Sequence, residues 1–149
     1  MNILRKRDLS MFYFAKGLFD PFSFVTVVDA YPGEDMEIPT ISVLAREVDS
    51  VSHELGNRIG LDNRFWSIDV YAENKDQRDE FAYLILDELK NGVPVFDYDE
   101  GFPPSTSPTR IGTLEALDIG LYPVYVFPDL VKKLYWRMRV SFVVRYHSN

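Results

Sequence analysis

The chain has 149 residues, 46% hydrophobic and 15% aromatic, with no cysteine and a formal net charge of −7. That length favours one domain burying roughly 68–70% of its unfolded surface, and the apolar content excludes a disordered chain. Lack of cysteine excludes a disulfide framework, a thiolate nucleophile and a cysteine-based metal site. The acidic balance disfavours nucleic-acid affinity unless basic residues gather on one face.

The N-terminal stretch MNILRKRDLSMFYFAKGLF places Arg5, Lys6 and Arg7 ahead of Met11, Phe12, Tyr13 and Phe14. Lys16 and Asp20 interrupt any signal-peptide core, and no apolar run approaches the ~20 residues that span a bilayer. The stretch reads as a first helix, with contact to a membrane or a partner as the alternative. Ser23–Ala30 is rich in β-formers and is followed by Pro32-Gly33. With Pro39–Arg46, whose Ile41, Val43 and Ala45 share a face, it is expected to form a long hairpin. Arg64–Ala72 alternates, with Trp66, Ile68, Val70 and Ala72 on one side and Ser67, Asp69 and Tyr71 on the other. Asn74 with Gln77 three residues on is a capping-box pattern. Phe81, Leu84, Ile85 and Leu89 then repeat at helical spacing until Asn91-Gly92 stops the helix.

A short strand, Val93–Phe96, leads into DYDEGFPPSTSPT, residues 97–109, whose glycine and prolines exclude regular structure and predict a long exposed loop. Pro128–Lys133 is a candidate helical or turn segment. The last element is the clearest. From Leu134 to Tyr146 the even positions carry Leu134, Trp136, Met138, Val140, Phe142, Val144 and Tyr146, while the odd ones carry Arg137, Arg139 and Arg145. Such period-2 alternation predicts a strand with one buried face. The whole reads as α+β: a mostly antiparallel sheet of about four to six strands with helices packed on one face, residues 1–149 forming one domain.

The search for chemistry is largely negative. His53 opens HELGN, but Asn57 stands where a zinc-binding HExxH needs its second histidine, and the other histidine is His147. Asp97, Asp99 and Gly101 begin like an EF-hand loop, yet Phe102 and Pro108 stand where Gly and Glu are required. Phosphate-binding glycine loops and the GxSxG nucleophile motif are absent. These patterns predict no catalytic residues, no metal and no cofactor. Asp69, on a polar strand face, is expected to pair with an arginine on the next strand. Arg137, Arg139 and Arg145 share a face, which is either a solvated, salt-bridged sheet surface or a surface for an acidic neighbour. Long structureless loops are often functional, so Phe102, with Asp99 and Glu100 beside it, either docks on a partner or packs back on the core.

The stretch ELGNRIGLDNRFWSIDVYAENKDQRDEFAYLILDELKNGVPVFDYDEGFPP resembles tailed-bacteriophage neck and tail-completion proteins, the tail-terminator and head–tail connector group. The resemblance rests on IDVYA (Ile68–Ala72), the polar helix start NKDQRDE (Asn74–Glu80), VPVFDYD (Val93–Asp99) and the closing LYWRMRVSFVVRY (Leu134–Tyr146), and it covers roughly residues 38–146. It implies a structural, non-enzymatic virion protein that assembles in the host cytoplasm and sits at the head–tail junction. Such proteins form homo-oligomeric rings, commonly hexamers, between the tail tube protein and the neck or connector proteins. The ring stops tube polymerisation and lets genomic DNA pass through its lumen without sequence-specific binding. A head-completion or adaptor protein on the portal side is the nearest alternative. A small cytoplasmic enzyme using a carboxylate pair near Asp69, Asp97 and Asp99 is the alternative from another class.

Overall fold

The computed structural model describes residues 1–33, 35–52, 60–99, 108–125 and 135–149. The described chain runs α1 (Ile3–Leu18), β1 (Thr26–Val28), β2 (Thr40–Ser52), β3 (Gly60–Ala72), α2 (Lys75–Leu89), β4 (Val93–Phe96), β5 (Arg110–Val124) and β6 (Trp136–Ser148). This is the expected α+β architecture. The strands form a six-stranded sheet of order β1-β2-β3-β6-β5-β4, in which only the β1–β2 pair is parallel.

Each helix has local reasons to begin where it does. The Asn2 side chain accepts from the Leu4 N–H at 2.8 Å and caps α1. Asn74 accepts from the Gln77 N–H at 2.8 Å, and the Gln77 side chain accepts in return from the Glu73 N–H at 2.9 Å. The capping box therefore forms, with its return bond one residue earlier than the usual cap position. After α2, Gly92 takes φ 82°, the left-handed turn that the Asn91-Gly92 pair predicts.

Both helices lie on one face of the sheet. Met11, Ala15 and Phe19 from the α1 region and Phe81, Ile85 and Leu89 of α2 join Ile41, Val43, Trp66, Ile68, Val70, Leu114, Val140 and Phe142 in a single core. Burying a large apolar side chain contributes about 1.5–3 kcal/mol, so this face dominates the stability. α1 touches both β2 and β4, strands far apart in the sheet order, so the sheet curls around it. Register shifts at Ala45/Val48 and Leu117/Gly120, the second with Asp118 at φ 52°, supply local bends.

Two expectations need correction. Ser23–Ala30 and Pro39–Arg46 do not form a hairpin: β1 is only three residues long and runs parallel to β2. A hairpin needs a tight reversal, whereas here the chain after β1 passes over the sheet, where the Ala30 carbonyl accepts from Ser42 Oγ at 2.7 Å, before β2 begins alongside β1. Trp136 is not a core residue. It stays 47% exposed at the start of β6, with the Arg78 guanidinium 5.5 Å from its ring centre. Met138, Val140, Phe142 and Val144 are buried as the alternation predicts. Leu134, His53 and Pro128–Lys133 lie outside the described residues.

The β4 edge is closed. The Phe96 N–H donates to Ser10 Oγ of α1 at 3.1 Å, and Pro94, two residues earlier on the same side of the strand, has no N–H to offer. The other edge is the three-residue β1.

Candidate interaction surface

The second face of the sheet, opposite the helices, collects the polar halves of the alternating strands. Strand register sets Asp69 directly beside Arg139, and Tyr71 beside Arg137. Asp69 is fully buried and accepts three hydrogen bonds: Arg137 Nη2 to Oδ2 at 2.7 Å, Arg139 Nε to Oδ1 at 3.0 Å, and Arg139 Nη2 to Oδ2 at 3.1 Å. Arg137 Nη1 also donates to Tyr31 Oη at 3.3 Å. The Arg137 guanidinium lies 5.7 Å from the Tyr31 ring centre and 5.1 Å from that of Tyr71, while Tyr135 meets Tyr71 edge-on at 5.2 Å. Burial disfavours the Arg137 charge, but hydrogen bonding and attraction from Asp69 outweigh it and raise its pKa. Hydrogen bonding to Asp69 raises that of Arg139. Burial also holds the Tyr71 phenol protonated, with its pKa raised.

Farther along this face come two uncharged rows. Ser67, Ser141 and Gly120 form one cross-strand row, and Phe65, Val143 and Leu117 form the next. Gly120 has a specific function. A Cβ there would stand 2.5 Å from Tyr122 Oη, so the absent side chain is what lets the Tyr122 ring lie back along the strand. Tyr122 stays 57% exposed and is the cross-strand neighbour of Arg139. Tyr31 is likewise exposed.

The six candidate residues thus divide. Arg137 and Arg139 meet at Asp69, and the expected aspartate–arginine pairing is present. Arg145 is exposed farther along the same face, where its Nε donates to Asn63 Oδ1 at 3.1 Å. Asp99 lies elsewhere. It pairs with the Met1 amine at 2.7 Å and with Lys6 Nζ at 2.8 Å, and the Lys6 hydrogen bond pushes its carboxyl down to about 2. Lys6 also bonds Asp97 at 2.9 Å, so α1 ties down the start of the 97–109 segment. The Asp97 N–H donates to the Thr109 carbonyl at 2.9 Å and closes that segment's base. Glu100 and Phe102 lie outside the described residues.

Asp69 lies in a different part of the molecule from Asp97 and Asp99, which share Lys6, so it does not pair with either of them. A carboxylate that sequence reasoning missed is Asp8. Burial raises its pKa despite Arg64 at 3.0 Å, and with Arg5, Asp29 and Trp66 it lines a cavity of about 80 Å³. Ligand pockets are typically about 300–1,000 Å³, so this cavity is of solvent size. An open cleft of about 420 Å³ lies between β1 and residues 32–40, lined by Val28, Pro32, Met36 and Glu37. Among the described residues, no three His, Asp or Glu side chains gather as a metal site, and no helix is long and apolar enough to cross a membrane. Tyr31 and Tyr122 were also missed; the only hint for Tyr122 is a glycine two residues before an aromatic within one strand. No protein-family model matches the chain, and no curated protein matches it.

Proposed function

We propose that this chain is a structural protein of the neck of a tailed bacteriophage: a tail terminator whose copies assemble as a homo-oligomeric ring, cap the tail tube and join it to the head connector. The observation that carries the reading is the second sheet face. It combines a half-buried pair of arginines with exposed tyrosines, the residue types that protein interfaces favour. The face has the chemistry of a contact between proteins rather than of a reaction site. The neck assignment itself comes from the resemblance along residues 38–146. A closed β4 edge supports assembly through faces rather than by strand addition. The acidic chain suits a lumen that DNA traverses without being held.

The test is electron microscopy of particles made without the protein. Over-long or unfinished tails support the terminator. Complete tails beside unjoined heads support a head-completion or adaptor protein instead. Normal infectious particles reject both and favour the enzyme reading, for which Asp8 and Asp29 are the carboxylates to replace first.

A further inference from the structure

The arginine–tyrosine face is one carboxylate short. Arg137 and Arg139 bring two positive charges to Asp69, which supplies one negative charge. The edge of Arg139 that Asp69 leaves open faces outward: its side chain is 34% exposed beside the exposed Tyr122. Among the described residues, Asp69 is the carboxylate bonded to either arginine. A half-buried guanidinium with an unmatched charge favours an acidic partner, because part of its hydration is already lost and a carboxylate supplies a charge-assisted hydrogen bond in its place.

The molecule carries such an acidic surface on its opposite side. α2 packs its buried side against β6, β3 and β5, on the helix-covered face of the same strands. Its outer stripe is Asp76, Glu80, Tyr83 and Asp87, spaced four, three and four residues apart so that they line one side of the helix. All four are exposed, Tyr83 by 49%. The stripe and the arginine–tyrosine face are complementary in charge and each offers a tyrosine. They lie on opposite sides of one sheet, so a copy cannot use both on the same neighbour.

We infer that the chain associates head to tail, the α2 stripe of one copy docking through Glu80 and its neighbours on the Arg139–Tyr122 face of the next. This deepens the ring reading and rests on it, since it names the contact by which copies join. Such a heterologous contact leaves a free face at each end. It closes into a ring if each step rotates the next copy suitably, and otherwise extends as a filament.

Two exposed positions test it with the full chain. Glu80→Lys reverses the centre of the stripe. Tyr122→Glu provides beside Arg139, within the same copy, the carboxylate that the neighbour would bring. Circular dichroism and urea midpoints should match the wild type for both. By sedimentation at low salt the wild-type chain associates, and association weakens as salt rises. Each variant alone is weakened roughly tenfold or more. Mixed in equal amounts, the two variants form a one-to-one dimer and nothing larger, because each retains one intact face. A wild-type chain that stays monomeric at every soluble concentration overturns the inference. So does a mixture of variants that stays monomeric while the wild type associates, or a pair of variants that associate like the wild type. The particle phenotype separates the two ideas: over-long tails without the protein, combined with normal tails carrying Glu80→Lys, would reject this contact and leave the terminator standing.

Discussion

The two faces of the sheet solve the same burial problem by opposite means. On the helix side, β2, β3, β5 and β6 present a mainly apolar surface, which α1 and α2 cover, with Arg64 of β3 at its margin paired to Asp8 of α1. On the other side Asp69 is buried as completely as Ile68 and Val70 beside it, but under the guanidinium groups of Arg137 and Arg139. The first face gains its stability from area removed from water. The second gains little net stability from its charges, because a buried ion pair must first offset the loss of hydration. What it gains is directionality: a fixed arginine fork and ordered tyrosine rings, which a purely apolar surface cannot present. The difference teaches that a buried charge need not mark a reaction centre. Here it fixes the orientation of the Arg137 and Arg139 side chains on the second face.

That contrast can be broken from either side. The largest effect is expected on the helix face. Phe142 is 2% exposed, so Phe142→Asp places an unpaired carboxylate in the core, costs several kcal/mol and unfolds the domain. A soluble variant with the wild-type circular dichroism spectrum would contradict the assignment of that face. Next comes the centre of the second face. Asp69→Ala strands two partly buried guanidinium groups and should cost about 3–5 kcal/mol in urea unfolding. A loss under 1 kcal/mol would mean that water already solvates the pair. Smaller again is Asn74→Ala, which removes the α2 cap and should lower stability by about 1 kcal/mol without altering the sheet.

The smallest effect lies off both faces, at the tie between α1 and the 97–109 segment. The folded pKa of Asp99 is about 2, below its ordinary 3.8. Its stabilising contribution is therefore complete above about pH 4 and is lost as pH falls from about 4 to 2. Asp99→Asn should lower the urea midpoint slightly at neutral pH, and the gap to the wild type should close within that acid window. A gap that persists at pH 2 would show that the tie does not depend on charge.

Local patterns carried much of this architecture. The alternation in Arg64–Ala72 and Leu134–Tyr146 marked β3 and β6 and sorted most of their residues onto the correct faces, because side chains alternate with period two in any extended chain. Asn74, Gln77 and Gly92 marked both ends of α2, because caps are built by residues next to the helix itself. The partnership of Asp69 with an arginine followed from its place on a polar strand face. Residues 23–30 were misread because β-propensity says nothing about strand direction, which depends on the path of the connecting segment. Trp136 was placed in the core by alternation alone, which cannot register that the strand begins there, beyond the helices' full cover.

The sequence by itself determined the α+β class, the two helices, β3, β4 and the face of β6 that enters the core, since each follows from local spacing and capping. Only the tertiary structure decided that β1 runs parallel, that α1 closes the β4 edge, that Asp99 binds the N-terminus, and that Tyr31 and Tyr122 join Arg137 and Arg139 on one surface. These are relations between residues far apart in the chain. They are set by how the curled sheet brings strands and connections together, and no local pattern encodes them.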